Sequence, residues 1–208
     1  MAQKVWLVAS QKGGVSKSVI AYALAENLAI PGTRVVLCDT DYPQFSTLTL
    51  AELRVQHGGD KLPFTVVPCK DTGEVGRKSK GFNHVVIDGA PHASQDTFHY
   101  ANHADVVILP TRTAILDLTP NLELARSLEA RGIPRDRMVF VLTQSPSKSE
   151  TATARTILQY EGWAVLEQDL HFATSYSTAG DRGRTISEVR HPGLKYKAGR
   201  LLEQLLRR

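Results

Sequence analysis

Ser10-Gln11-Lys12-Gly13-Gly14-Val15-Ser16-Lys17-Ser18 separates an apolar run, Val5 to Ala9, from a helix-like stretch, Lys17 to Ala29. A strand, a glycine-bearing turn and a helix start therefore follow one another within about 20 residues. Adjacent glycines let backbone N–H groups approach anionic oxygens with no Cβ in the way, and a helix N-terminus adds positive potential. Lys17 supplies a mobile cation and the Ser18 hydroxyl a ligand for Mg²⁺. The stretch reads as a triphosphate cradle in which Gly13, Gly14, Val15, Ser16, Lys17, Ser18 and Val19 surround a nucleotide; the bland alternative is a glycine-rich strand-to-helix turn. Against the general G-x-x-x-x-G-K-[ST] pattern, Gln11 replaces the first glycine and Ser16 the second. A Cβ at position 16 restricts a backbone angle that glycine leaves free.

Outward from this point the same alternation repeats. Short Val/Ile/Leu-rich runs stand at Val35 to Cys38, Phe64 to Val67, Val85 to Ile87, Val106 to Leu109 and Met138 to Leu142, with helix-like stretches at Leu118 to Arg131 and Glu150 to Glu161. Runs of this kind suit strands covered on both faces, so the fold class is α/β: one domain over 1–208 with a doubly wound, mostly parallel sheet. Pro31-Gly32 ends the first helix, and Thr119-Pro120 reads as an N-cap followed by proline at the first helical position. Leu194, Ala198, Leu201, Leu202 and Leu205 recur at helical spacing, which makes the tail a packed helix. Lys70 to Gly81 has little periodicity and reads as a loop or weak helix. Hydrophobic residues at 42% and charged residues at 22% argue against a disordered or fibrous chain. Cys38 and Cys69 read as structural thiols, and with no secretory leader or membrane-length apolar run the expectation is a soluble, cytoplasmic protein. Trp6 and Trp163 read as core residues.

Two further stretches bear on the cradle. Val35-Val36-Leu37-Cys38-Asp39-Thr40-Asp41-Tyr42-Pro43-Gln44 puts two carboxylates at i, i+2 beyond a strand end, and His84-Val85-Val86-Ile87-Asp88-Gly89-Ala90-Pro91 ends another strand in a carboxylate. At the C-terminal edge of a parallel sheet these acids reach the same crevice as the glycine turn; the alternative for Asp39 and Asp41 is an Asx-rich turn. Lys-Gly-Gly-x-x-Lys-Ser resembles the deviant phosphate loop of the ParA/MinD family of partition and positioning ATPases, and the two acidic stretches resemble that family's first and second switch segments, with Tyr42 inserted in the first. The resemblance implies ATP and Mg²⁺ as cofactors. It makes Lys12 the cation that crosses a nucleotide-sandwiched homodimer, Lys17 the cation for the chain's own nucleotide and Asp41 the hydrolysis residue. Ser18, Asp39 and Asp88 become the metal set, Asp39 through water. By the same resemblance Pro110 lies near the dimer seam and Gln144, ending the Met138 to Leu142 strand, faces the adenine.

Net charge is +4, but Arg182 to Arg208 holds eight Lys or Arg against two acids, which leaves the rest of the chain at −2. This basic helical segment, 182–208, is either an ordinary solvated helix or a stripe that binds duplex DNA through its phosphates without reading bases. Arg182 and Arg184, flanked by glycines, lead the second reading, followed by Lys195, Lys197 and Arg200. The family likeness adds non-specific DNA, a ParB-like centromere-binding adaptor that stimulates slow hydrolysis, and a nucleoid-associated location in a bacterium, with plasmid segregation as the task. Its rivals are an ATP-binding assembly switch with little hydrolysis, a MinD-like positioning factor with a lipid-seeking tail, and a ligase resembling dethiobiotin synthetase, which has no need of Lys12. A membrane partner is not expected. His99 and His103, four apart on a probable helix near His92, lack the glutamate of a zinc helix and read as a solvated face.

Overall fold

The computed structural model describes residues 3–92 and 94–208, so Met1 and Ala2 lie outside it. The apolar runs become strands β1 (Lys4–Ser10), β2 (Val35–Asp39), β3 (Thr65–Pro68), β4 (His84–Pro91), β5 (Val106–Thr111), β6 (Met138–Ser145) and β7 (Leu170–His171). They form one seven-stranded sheet, ordered β3-β2-β4-β1-β5-β6-β7, whose pairings are all parallel. Central β1 is flanked by β4 and β5, so the segments that leave these three strands meet at the sheet's C-terminal edge.

Both faces of the sheet are covered, as its unbroken apolar strands demand. Alternate residues of each strand point to opposite sides. Trp6, Val8, Leu37 and Ile108 pack on one face with α1 (Lys17–Leu28), α7 (Thr174–Gly180) and α8 (Pro192–Leu206). Leu7, Ala9, Cys38, Leu109 and Phe140 pack on the other with α3 (Thr72–Lys78), α4 (Gln95–His103), α5 (Ile115–Ala130) and α6 (Lys148–Tyr160). Helix α1 is apolar over most of its girth because it is enclosed, with Ile20, Ala21, Tyr22, Ala23, Leu24 and Ala25 each 1% exposed or less. Trp6 and Trp163 are core residues, and Cys38 and Cys69 are buried free thiols, as expected.

Two local expectations need correcting, and the choice left open at Lys70 to Gly81 falls to a short helix. Helix α5 begins at Ile115 and carries Pro120 inside it. Thr119 is therefore no cap. Lys70 to Gly81 contains the short helix α3, for which Asp71 accepts a cap bond from the Glu74 N–H. The basic segment is not one helix: 182–191 is irregular apart from a 3₁₀ turn at Ile186–Glu188, and α8 starts at Pro192. Ala198, Leu201, Leu202 and Leu205 of α8 are fully buried, so its apolar face is already occupied by the core.

Helix α2 (Ser46–Gln56), which the sequence pattern left unread, ties the β2 exit to the basic segment. Asp39 receives its first turn, and near its far end buried Arg54 pairs with Glu188 through two bonds of 2.7 and 2.9 Å and donates to the Gly183 carbonyl. Gly183 has φ +64°, and a Cβ there would stand 2.2 Å from the Arg54 nitrogen, so glycine alone fits.

Candidate nucleotide site

Where β1 gives way to α1 the chain bends around a crevice of about 530 Å³. Gly13, Gly14, Ser16, Lys17, Ser18 and Val19 line it on one side, with Asp41, Gln44 and Ser46 from the β2 exit and Pro91 from the β4 end. Its far end is more apolar, formed by Leu50, Leu53, Leu170, Phe172 and Tyr176. Among the described residues, the N–H groups of Gly13, Gly14, Val15 and Ser16 donate to no protein acceptor. Of these four residues only Val15 is buried, so burial is not the signal; four consecutive amides left without a protein acceptor at the start of a helix suit an anion.

The charges around this loop are similarly unmatched. Lys17 is 7% exposed and forms no hydrogen bond or close ion pair among the described residues. Burial lowers its pKa, while Asp88 and Asp41 pull the other way. Asp88 is fully buried, and burial pushes its carboxyl up to about 7. The Ser18 hydroxyl sits near enough to oppose that rise, yet neither Asp88 oxygen finds a partner of good hydrogen-bond geometry. Asp41 is also raised by burial, with Lys17 opposing. An orphaned carboxylate beside a hydroxyl is a donor set for a hard cation such as Mg²⁺, and an unpartnered lysine below it suits phosphate. The residues present fit the implied cofactors.

Asp39 does something else. Its Oδ2 accepts from the Thr47 N–H and hydroxyl, both at 2.7 Å, and from the Leu48 N–H at 3.2 Å; its Oδ1 accepts from the Asp41 N–H. These bonds hold the start of α2, and only Oδ1, with its single bond, keeps acceptor capacity for a water of the metal shell. Pro110 is buried within β5. Ile115 and Leu116, 58% and 79% exposed, are the apolar groups presented at that end of the sheet. Gln144 lines the crevice, but its amide donates to the Gly14 carbonyl and the Ser16 hydroxyl, so no donor is left for a base. Lys12 does not line its own chain's crevice.

The backbone is strained here and, among non-glycine described residues, nowhere else. Ser16 (φ +68°), Phe45 (+44°), His92 (+68°) and Gln144 (+50°) are left-handed, and each lines the crevice or adjoins a residue that does. Such conformations cost about 1 kcal/mol or more apiece and gather at functional sites.

Sequence reading missed Arg112, Asn121, Phe172 and Tyr176. Asn121, fully buried on α5, accepts from the Ser10 hydroxyl and the Gln11 N–H and fixes the entry to the loop. Phe172 follows a strand of two residues, too short to show a period.

The basic residues part company. Arg182, Arg184, Arg190 and His191 surround a separate cavity of about 310 Å³ with Ser175 and Thr178. On α8, Lys195 and Lys197 project about 200° apart, and Arg200 is paired with Glu203 at 3.0 Å. Helix α7 separates the two cavities, giving Tyr176 and Ser177 to the crevice and Ser175 and Thr178 to the basic one. His99 and His103 stack on exposed α4, and no cluster of three metal-ligating side chains occurs among the described residues.

A parallel sheet whose central strand exits into an anion-ready loop defines the class as a P-loop nucleotide-binding protein. Residues 6–186 match the CobQ/CobB/MinD/ParA nucleotide-binding domain, and the chain belongs to that family. It is 25% identical to protein ParA of Rhizobium radiobacter across 89% of this chain and 86% of that one. Among solved structures, it resembles a plasmid partition protein of Borrelia burgdorferi bound to AMPPNP (17% identity, 99% of each chain, TM-score 0.73) and the cell-division ATPase MinD of Pyrococcus furiosus (15%, 99% of each, 0.76). The ATP complex of a Cyanothece McdA variant is similar too, at 18% identity over 98% of this chain and 96% of that one, with a TM-score of 0.70. Among the described residues no helix is long and apolar enough to cross a membrane.

Proposed function

We propose that the protein is an ATP-dependent DNA-partition switch that pairs with a second copy around bound nucleotide and holds duplex DNA through its phosphates. The observation that carries the reading is the orphaned Asp88 carboxylate beside Ser18 and Lys17, under four free loop N–H groups. Lys17 and the loop amides bind the phosphates, and Ser18 and Asp88 hold Mg²⁺. When bound, the cation supplies charge to the β- and γ-oxygens. Asp41, on the opposite wall, orients the attacking water. Lys12, which does not line its own crevice, serves the partner's nucleotide, and the exposed Ile115 and Leu116 support a seam on that face. Turnover is slow, and a ParB-like adaptor raises it.

Arg182 and Arg184 bind DNA phosphates. Helices α2 and α7 each touch the crevice at one point and the basic segment at another, a route by which nucleotide alters DNA affinity. Free α8 insertion into lipid finds no support, because its apolar face is occupied.

The test is light scattering of the protein with ATP, ADP or neither, with and without duplex DNA, at two salt concentrations. ATP is expected to double the mass and to permit DNA binding that weakens with salt; Lys12→Ala is expected to bind ATP and stay monomeric. A protein that remains monomeric with ATP at every salt would overturn the reading.

A further inference from the structure

Each trans peptide unit carries its C=O and the following N–H on opposite sides. Whatever fixes a loop carbonyl away from the crevice therefore aims the next N–H into it. The Gly14 carbonyl accepts two side-chain bonds from outside the loop: Arg112 Nη2 at 2.8 Å, from beyond β5, and Gln144 Nε2 at 2.7 Å, from β6. Fully buried Thr143 holds its Oγ1 3.2 Å from the next carbonyl, that of Val15, and 3.2 Å from that of Thr111, so its one hydrogen is shared between them. The N–H groups opposite these carbonyls belong to Val15 and Ser16, and both are free. Gln144 Nε2 also lies 3.2 Å from the Ser16 hydroxyl, so the serine that replaces a glycine of the general pattern is itself gripped.

We infer that Arg112, Thr143 and Gln144 form a clamp, positioning residues that act through the loop backbone and preset the phosphate loop for a polyphosphate. Without them the Gly14–Val15 and Val15–Ser16 peptides are free to turn, and a carbonyl turned inward faces phosphate oxygens. The guanidinium grips through a single bond and its Nε is buried without a partner, so the cost of holding Arg112 there is visible in the fold. Gln144 adds a left-handed backbone to hold its amide in place.

The inference rests on the loop being a phosphate seat, and the experiment separates the two. A fluorescent ADP analogue is displaced from the full chain by ADP and by inorganic pyrophosphate, for the wild type, Arg112→Ala and Gln144→Ala. Each variant is expected to weaken both competitors about tenfold, the measure of one well-placed bond, with the unliganded melting temperature within a few degrees. Because Gln144 is uncharged, its loss reports geometry and not potential. Equal wild-type and variant affinities, or a loss confined to ADP, overturn the clamp. A wild type that binds neither competitor overturns the phosphate seat itself.

Discussion

The phosphate loop and the basic tail are two cationic regions of the molecule built on opposite terms. At the loop, one lysine is buried without a partner, one carboxylate is buried without a partner, and four amides wait unpaired. In the tail, eight cations stand in 27 residues, yet Lys195 and Lys197 point apart, Arg200 and Arg207 share Glu203, and only Arg182, Arg184 and Arg190 converge. A site is marked by interactions the fold leaves unmade at some cost to its stability. A high density of charge in solvent costs little and so marks much less.

The sharpest way to break that contrast is Lys17→Met. If the ammonium waits for phosphate, the substitution abolishes nucleotide binding, at least about 100-fold by calorimetry, and raises the melting temperature of the unliganded protein by relieving a desolvated charge. Nucleotide affinity within threefold of wild type would sink the assignment.

Asp88→Asn tests the other orphan. Folding lifts this carboxyl from the ordinary 3.8 to about 7, so the folded state takes up a proton between those values. Its contribution to stability is therefore greatest below about pH 4 and is lost as pH rises through about 7. Asparagine is expected to stabilise the unliganded protein at pH 8 by about 1–3 kcal/mol and to change nothing at pH 4. Mg²⁺-dependent nucleotide affinity should run oppositely in the wild type, strengthening from pH 6 to pH 8 as Asp88 ionises, and should be flat in the variant. Parallel melting curves at both pH values would remove Asp88 from the site.

What the sequence displayed of all this follows from range. The strands were legible because burial on both faces leaves a continuous apolar run, Lys17 and Ser18 because they open a helix after a glycine turn, and Asp41 and Asp88 because they stand near the ends of apolar runs. Helix α2 was not legible: Leu48, Ala51 and Val55 of Ser46–Gln56 fall on one side of a helix and Leu50 and Leu53 on the other, so no single apolar stripe stands out. That Asp39 holds the start of α2 was hidden, because its partners, Thr47 and Leu48, come from that unread helix. The grip of Gln144 on the loop was hidden, because that loop lies 130 positions away in sequence. Pairing across the sheet, which redirects a polar side chain from ligand to scaffold, leaves no trace in local spacing.

On the tail side, the contrast sharpens by splitting the cations. Arg182→Ala with Arg184→Ala is expected to weaken duplex binding about tenfold at low salt and to flatten its salt dependence by up to about two phosphate contacts. Lys195→Ala with Lys197→Ala should cost about threefold or less, since the two lysines leave opposite sides of α8. Equal losses from the two pairs, read by fluorescence anisotropy over a salt series, would restore the single basic stripe.

The smallest expected effect lies back in the loop, at Ser16. Its φ of +68° disfavours any side chain, but its hydroxyl meets Gln144 at 3.2 Å, so replacing it mixes two changes of opposite sign. Ser16→Ala keeps the strain and loses the bond, a destabilisation of about 0.5–1 kcal/mol. Ser16→Gly loses the same bond, relieves about 1 kcal/mol or more of left-handed strain, and gives back part of that gain to the greater freedom of glycine in the unfolded chain. Glycine should therefore surpass alanine by about 1 kcal/mol at this position and lie near the wild type. In a Gln144→Ala background the bond is already absent, so alanine at 16 should become neutral while the advantage of glycine over alanine persists. Denaturant melts of the four variants decide it. Alanine matching glycine at position 16 would mean that the loop relaxes out of the left-handed region when unliganded, and that its strain belongs to the bound form alone.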